Sequence, residues 1–514
     1  MNTDKNALKA WRLASQMLVA QKLREPSQVV AWLGGVQAQD YRWAKWSIGL
    51  RADGSNDETI ERAIQERQIV RTWMFRGTLH FIAAGDLTWL TALLAPGIMR
   101  GNTRRYRQLG LEDPIFVKSQ KTIRRALEAN GPLTRAAIKR HLEKVGIPAE
   151  GQQLPYLLQR AALDGLICQG PQQGSEPTYV LLSDWVSTWQ TFDRTKALGL
   201  LAARYLASHG PATQQDLAWW TGLPAREARL ALETAPDVVR ITADDIQYWS
   251  TNSLPPDGIP ATGQLLPPFD EYLLGYKERS LTLDPAYASL VNAGGGMLKP
   301  TVMANGEILG IWGYTTQKQQ ILISIQPFRE LTRLERELIA QAADRFGIYK
   351  SIPAEVKYVT QSDNNGVRMD PVNREMKPYV LKPGEGWTYR YGIDFTVKAG
   401  EVRESSGAAF LEYVTSKGEE PPDHTHATED EMFYVLEGGV TFRCGQESFD
   451  LEKGSFIFLP RGIQHGYTIR SEAPVRLIVV TAPVKEGANN GWGGFVSDLE
   501  LGQGELIAKP PQAS

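Results

Sequence analysis

Gly418-(x)5-His424-Thr425-His426-(x)4-Glu431-(x)6-Gly438, followed by Gly454-(x)5-Pro460-Arg461-Gly462-Ile463-Gln464-His465, decides how the C-terminal part of this chain folds. The stretch holds His424, His426 and His465, half of the chain's six histidines. His424 and His426 stand two apart, so on a strand both imidazoles leave the same face. Glu431 and His465 then need only two neighbouring strands to complete a set of three imidazoles and one carboxylate. The glycines and Pro460 supply the turns between those strands. The spacing predicts a β-rich domain around one divalent transition metal, with His424, His426, Glu431 and His465 as ligands. Iron, manganese, nickel and zinc all accept such a set. A jelly roll that keeps its histidines in a dry core is the alternative, although a core histidine has no need of a carboxylate at ligand spacing.

Both halves of this pattern match the cupin signature in spacing, and the flank Pro378-Tyr379-Val380-Leu381-Lys382-Pro383-Gly384 resembles small quercetinase-like cupins. The resemblance implies an all-β jelly roll over residues 377–500 and a small-molecule ligand beside the metal. Ile469 stands where the second half of the signature commonly closes on asparagine, which leaves ligation intact and changes the pocket wall.

The charge of the chain divides unevenly around this domain. The formal net charge is −2, yet residues 1–360 carry 41 Lys+Arg against 35 Asp+Glu, and residues 361–514 carry 15 against 23. The first 150 residues alone carry 24 against 14. A basic N-terminal region suits a phosphate partner and an acidic C-terminal one does not. At 514 residues the chain is too long for one hydrophobic core. No apolar run approaches the length of a membrane span, and Met1-Asn2-Thr3-Asp4-Lys5 lacks the basic head and apolar core of a signal peptide. With only Cys168 and Cys444, a disulfide framework is not expected and a cytoplasmic setting is.

A weak repeat organises the N-terminal region. Asn130-Gly131-Pro132-Leu133-Thr134 and His209-Gly210-Pro211-Ala212-Thr213 share an x-Gly-Pro-x-Thr pattern. In each copy glycine can end one helix, proline blocks its continuation, and threonine can cap the next. Strand–turn–strand patterns follow, at Leu166-Ile167-Cys168 with Thr178-Tyr179-Val180-Leu181, and at Val238-Val239-Arg240-Ile241 with Gln247-Tyr248-Trp249. Three helices and a hairpin make a winged helix, expected near 116–190 and 191–255. A helical repeat used as scaffold is the alternative. Residues 256–360 read as a β-rich subdomain, with Asn305-Gly306 marking a hairpin and Leu331, Leu334, Leu338, Ile339 and Ala342 an amphipathic helix. Residues 361–376 are polar and aperiodic, an interdomain linker, and 501–514 a tail. The fold class expected is therefore multidomain α+β: tandem winged helices with a β-rich subdomain, then an all-β cupin jelly roll.

Three further stretches resemble the AlkZ family of winged-helix DNA glycosylases. They are Gly35-Val36-Gln37-Ala38-Gln39-Asp40, Arg71-Thr72-Trp73-Met74-Phe75-Arg76-Gly77-Thr78-Leu79-His80, and Leu265-Leu266-Pro267-Pro268-Phe269-Asp270-Glu271-Tyr272-Leu273-Leu274-Gly275-Tyr276-Lys277-Glu278-Arg279-Ser280. Each is weak alone, and together they follow the family's order across about residues 1–360. The resemblance implies a Gln-x-Gln catalytic motif at Gln37 and Gln39, which without it reads as a solvated loop, double-stranded DNA as partner, and no cofactor for this region. It also implies a hairpin that enters DNA, which would place a wedge at Asn305-Gly306; a simple surface turn explains that tip equally well. Ala38 is smaller than the aliphatic residue usual between the glutamines.

The chemistry is compatible with glutamine. A purine alkylated on a ring nitrogen already carries positive charge and leaves without protonation. The site then needs a positioned water and groups that tolerate an oxocarbenium-like sugar, which an amide can supply. Asp40 is either a stabilising carboxylate or the N-cap of a helix over Tyr41–Leu50. Arg71, Arg76, Arg100, Arg104, Arg105 and Arg107 are candidate phosphate ligands, with a solvated helix face as the alternative for Arg104, Arg105 and Arg107. His80, between Leu79 and Phe81, reads as a core histidine. Two other functions fit the same domains: a transcription regulator whose cupin senses a ligand, and a cupin dioxygenase or isomerase carried on a winged-helix scaffold.

Overall fold

In the computed structural model the chain forms two compact units, one of residues 1–291 with 298–360, the other of 361–514 with 292–297. The structure describes residues 4–19, 22–174, 176–187, 189–251, 258, 261–294, 297–316, 320–359, 381–382, 384–391, 393–399, 408–421, 423–426, 429–482, 496 and 505–508. The linker read at 361–376 lies outside them.

In the first unit a six-stranded sheet runs in the order Val36–Gln37, Leu79–Ala83, Ile69–Trp73, Ile167–Gln173, Glu176–Leu181, Leu133–Thr134. The first x-Gly-Pro-x-Thr copy lies between the helix Asp113–Asn130 and the helix Arg135–Glu143, which Thr134 caps by accepting from the Ala137 amide. Gln153–Leu163 is the third helix before the hairpin Ile167–Gln173/Glu176–Leu181. That hairpin is not a free wing, because Arg71 pairs with Gln169 and fuses it to the N-terminal strands. The second copy repeats the order with Arg194–His209, Gln214–Thr221 and Ala225–Thr234, and Thr213 forms a capping box with Asp216. Its hairpin, Val238–Ala243 with Ile246–Thr251, is a separate two-stranded sheet.

The β-rich part is a five-stranded sheet ordered Ala354–Tyr358, Ile321–Pro327, Glu307–Thr316, Thr301–Ala304, Gly263–Leu266. The helix Arg333–Lys350 buries Leu338, Ile339 and Ala342. Leu334, read as part of the apolar face, is 52% exposed. Asn305 and Gly306 take φ of 49° and 84°, the left-handed pair a two-residue hairpin requires. The tip is docked, which corrects the reading of it as a wedge. Tyr272 donates to the Gly306 carbonyl at 2.9 Å, and a Cβ on Gly306 would lie 3.2 Å from Leu13. A turn packed inside its own unit has no apolar edge to insert between bases.

The second unit is an all-β cupin jelly roll. One sheet is ordered Phe456–Leu459, Asp430–Glu437, Val475–Ala482, Ala409–Thr415, Ile393–Ala399, Trp387–Tyr391, Glu505–Ala508. The other is ordered Glu447–Glu452, Gly439–Cys444, His465–Ile469. Alternating residues of both sheets, among them Phe433, Val435, Phe442, Tyr467 and Leu477, make its core. The stretch read as a tail contributes the edge strand Glu505–Ala508, which pairs with Trp387–Tyr391. Cys168 and Cys444 are free.

Candidate functional sites

Gln37 ends the two-residue strand Val36–Gln37, opposite His80 in Leu79–Ala83. Gly35 precedes the strand because the backbone passes close to an aromatic: a Cβ there would sit 2.8 Å from Phe75. Ala38 continues the contact by donating to the Leu79 carbonyl at 2.8 Å. Gln37 is 9% exposed, Ala38 is fully buried and Gln39 is exposed, so the motif runs from the interior to the surface over three residues. Asp40 is spent as the N-cap of Tyr41–Gly49, accepting from the amides of Arg42 and Trp43.

Arg71 is not a phosphate ligand in this geometry. Its Nε donates to the Ala38 carbonyl at 2.9 Å and its Nη2 to the same carbonyl at 2.6 Å. Nη2 also reaches the Gln39 carbonyl at 3.1 Å, and Nη1 donates to Gln169 Oε1 at 2.9 Å. The residue is 8% exposed, with its guanidinium 5.4 Å from the Tyr41 ring centroid. A planar five-donor group fits this cluster of carbonyls, and its role is to fix the backbone of the glutamine pair.

Arg76 is also turned inward. It takes a left-handed φ of 56° in the turn Phe75–Gly77, a conformation a non-glycine residue keeps only when its surroundings enforce it. Its Nη1 donates to the Trp220 carbonyl, and its Nη2 to Gln37 Oε1 at 3.2 Å. Burial pulls its pKa down, and the Glu271 carboxylate acts against that. His80, 1% exposed with Nδ1 3.0 Å from the Thr78 carbonyl, has its pKa lowered to about 3 by burial and by Arg76, so the ring is neutral.

Behind Arg76 stands a buried group that sequence reading did not single out. Glu271 is 1% exposed; its Oε2 accepts from Trp220 Nε1 at 2.8 Å and lies 3.3 Å from His209 Nε2. Its Oε1 has no hydrogen-bond partner among the described residues. Asp270 beside it forms a bidentate pair with Arg51 at 2.8 Å for both oxygens and accepts from Ser47 at 2.8 Å. The only sequence signal was two adjacent carboxylates inside an otherwise apolar run.

Arg104 and Arg107 are exposed on the helix Leu87–Gln108, with no side-chain hydrogen bond or ion pair among the described residues. Arg100 is exposed on the same helix. Arg105 is half-buried and donates to Gln108 at 3.1 Å and to Gln152.

In the jelly roll, His424, His426, Glu431 and His465 converge, with one potential ligand atom from each lying within 4.8 Å of the others. The route differs from two neighbouring strands. Glu431 lies on Asp430–Glu437 and His465 on His465–Ile469, which belong to opposite sheets, so the cluster spans the sandwich. His424 is in a single bridge with His465, whose two backbone bonds are 2.9 and 2.8 Å. Glu431 Oε1 is 3.7 Å from His424 Nε2 and touches His426 Nε2, and Oε2 is 3.4 Å from His465 Nε2.

Four buried atoms test the fit of a metal. Both ring nitrogens of His426, Oε1 of Glu431 and Nε2 of His465 make no aligned hydrogen bond, though His426 and Glu431 lie in contact. A neutral imidazole carries one N–H and one lone pair; with the lone pair on His426 Nε2, that atom, Glu431 Oε1 and His465 Nε2 are convergent acceptors that suit a cation of borderline softness. His465 Nδ1 lies 2.9 Å from the Ile463 carbonyl, to which it donates, so the Nε2 lone pair faces the cluster. Burial alone would raise the Glu431 carboxyl, but contacts from His424, His426 and His465 outweigh it and hold the group well below the usual range. Asp430 pairs with Arg461 and, with its pKa held at about 2 mainly by that hydrogen bond, ties the Pro460–Gly462 turn to the strand of Glu431.

Residues 30–349 match the family described as DNA glycosylase AlkZ-like, and residues 411–481 match the cupin domain family. An interstrand DNA cross-link repair glycosylase of Streptomyces sahachiroi is 25% identical over 360 residues, covering 65% of this chain and 93% of that protein. The solved structure of the Streptomyces sahachiroi DNA glycosylase AlkZ aligns with a TM-score of 0.62 at 22% identity, covering 70% of this chain and all of that one. Quercetin 2,3-dioxygenase of Bacillus subtilis is 31% identical over 110 residues, which is 21% of this chain and 32% of that protein.

Proposed function

The chain belongs to the DNA glycosylase AlkZ-like family through residues 30–349, and from that premise we propose that it excises alkylated purines from double-stranded DNA, including purines joined in interstrand crosslinks, as a monofunctional glycosylase. The observation that carries the reading is the held glutamine pair: Arg71 fixes the backbone between Gln37 and Gln39, leaving one amide buried beside a cation and the other exposed.

In the reaction the C1′–N bond breaks and its electron pair neutralises the alkylpurinium base. The oxygen of a water bonds to C1′, and the proton it releases passes to solvent. No general acid is needed, because the leaving group is already cationic. We read the two helix–hairpin units as winged helices that meet the duplex, with Arg104, Arg105 and Arg107 at the phosphates. No helix among the described residues is long and apolar enough to cross a membrane. We read the setting as cytoplasmic, in keeping with the proposed DNA substrate and a chain with two cysteines.

The cupin is proposed to hold one divalent transition metal through His424, His426, Glu431 and His465, beside a small-molecule ligand. When bound, the metal supplies Lewis-acid polarisation of an oxygen-donor ligand. The chain's own residues keep Glu431 ionised and fix the tautomer of His465. The test of the first activity is incubation with a duplex carrying one N7-methylguanine, scoring free base. Intact glycosidic bonds after prolonged single-turnover reaction would reject it.

A further inference from the structure

Gln37 and Gln39 are the same residue type, yet their surroundings make them different reagents. The side chain of Gln37 meets a guanidinium, and arginine has donors only. The amide of Gln37 can face Arg76 in one sense alone: Oε1 inward at 3.2 Å from Nη2, with its NH2 group turned away. That orientation follows from hydrogen-bond complementarity whichever way the amide is first drawn. The Gln37 NH2 group has no protein partner among the described residues, and the exposed amide of Gln39 has none on either atom.

Arg76 is itself built in. Nη1 is anchored on the Trp220 carbonyl, the Trp220 indole donates to Glu271 Oε2 at 2.8 Å, and Trp220 is 1% exposed. A Cβ on Gly222 would stand 3.4 Å from Arg76 Cγ, so the side chain lies against that backbone. The left-handed φ of 56° at Arg76 aims the side chain across the turn. Every element around Arg76 therefore fixes where its second nitrogen points.

Resting on the glycosylase reading above, we propose that Arg76 is a positioning residue that divides labour between the two glutamines. It holds Gln37 as a hydrogen-bond donor to a phosphate or deoxyribose oxygen of the lesion nucleotide, and leaves Gln39 as the acceptor that orients the attacking water. The electrostatics support the division. A carbonyl already polarised by a cation is a poor acceptor for a water that must shed positive charge, whereas its amide hydrogens become better donors. Gln39 has no cation on its carbonyl and can face the water.

The test uses the full chain, a duplex carrying one N7-methylguanine, single-turnover rates and the salt dependence of DNA affinity. Gln37→Glu keeps an acceptor for Arg76 but loses the NH2 donors, and is expected to be no faster than Gln37→Ala. Gln39→Glu keeps an acceptor for water and is expected to be faster than Gln39→Ala. Arg76→Met is expected to slow base release by about 100-fold, the loss typical of one misplaced preorganised group. Its DNA affinity and salt slope should stay those of the wild type, and Arg76→Lys, still donor-only, should recover about tenfold of the rate.

A salt slope lowered by about 0.9 in Arg76→Met would make Arg76 a phosphate ligand and overturn the proposal. So would Gln37→Glu outpacing Gln37→Ala. Should Arg76→Met fail to fold, the near-isosteric glutamate pair decides alone. Absence of base release by the wild type rejects the glycosylase reading and this one with it; release by the wild type with the glutamate order reversed rejects only the division of labour.

Discussion

Replacing Arg71 with methionine separates a structural arginine from a DNA-binding one. Methionine fills similar volume but leaves the buried Ala38 carbonyl and Gln169 Oε1 without their donors at 2.6–2.9 Å. Each orphaned buried acceptor costs about 1–3 kcal/mol. Part of that is returned, since a buried guanidinium is no longer held away from water. The net loss expected is about 3 kcal/mol. At about 2–4 °C per kcal/mol for a domain of 150–250 residues, melting of the first unit should fall by about 6–12 °C, nearer the lower figure because the unit is longer. Base release should fall with it even well below the melting temperature, because the Gln39 carbonyl also loses its 3.1 Å contact. DNA affinity at low temperature should keep its salt dependence. The assay is a thermal melt of the full chain beside a titration of duplex DNA at several salt concentrations. An Arg71→Met variant that melts like the wild type and loses about one unit of salt slope would refute the reasoning.

Asp270→Asn should destabilise by about 3–5 kcal/mol, since it strands the buried Arg51 charge. Burial would raise the Asp270 pKa, but Arg51, the Tyr272 amide and Ser47 outweigh it and lower it below 3.8. Its stabilisation is therefore complete above about pH 4 and lost as pH falls through the depressed native value. Acid unfolding followed by circular dichroism should accordingly be flatter below pH 4 in Asp270→Asn. Removing both Arg104 and Arg107, which are exposed, should lower the salt slope of DNA binding by about 1–2 without shifting the melt; an unchanged slope would take that helix off the DNA. Elemental analysis should find about one transition metal per chain and none in the His424→Ala, His426→Ala double variant. Chelator-stripped protein should still release base, and its failure to do so would show that the cupin metal enters the glycosylase reaction.

The sequence carried these sites unequally, for physical reasons. Local rules were legible. Thr134 and Thr213 cap their helices, Asn305-Gly306 turns a hairpin, and Asp40 takes the N-cap position that was one of its two readings, because each depends on hydrogen bonds within three residues. Ligand spacing was legible too, since a metal set is defined by residue type. What was not legible was which partner a charged side chain meets across the fold. Arg71 and Arg76 looked like phosphate ligands because arginine in a basic region usually reaches solvent, whereas Gln169 and Trp220, which capture them, lie 98 and 144 residues away. The same distance hid the docking of the Gly306 turn under Tyr272, the meeting of Glu431 and His465 from opposite sheets, and the return of Glu505–Ala508 to the cupin sheet. Two arginines drawn away from solvent leave the glutamine pair with its backbone clamped by Arg71 and one of its amides turned by Arg76. A bare Gln-x-Gln in a loop would sample many amide orientations, each with a different pattern of donors and acceptors. Held this way, the backbone of the pair and the amide of Gln37 present one pattern and only the exposed Gln39 amide is left to turn, so on the proposed reading little rearrangement is needed at the moment of bond breaking.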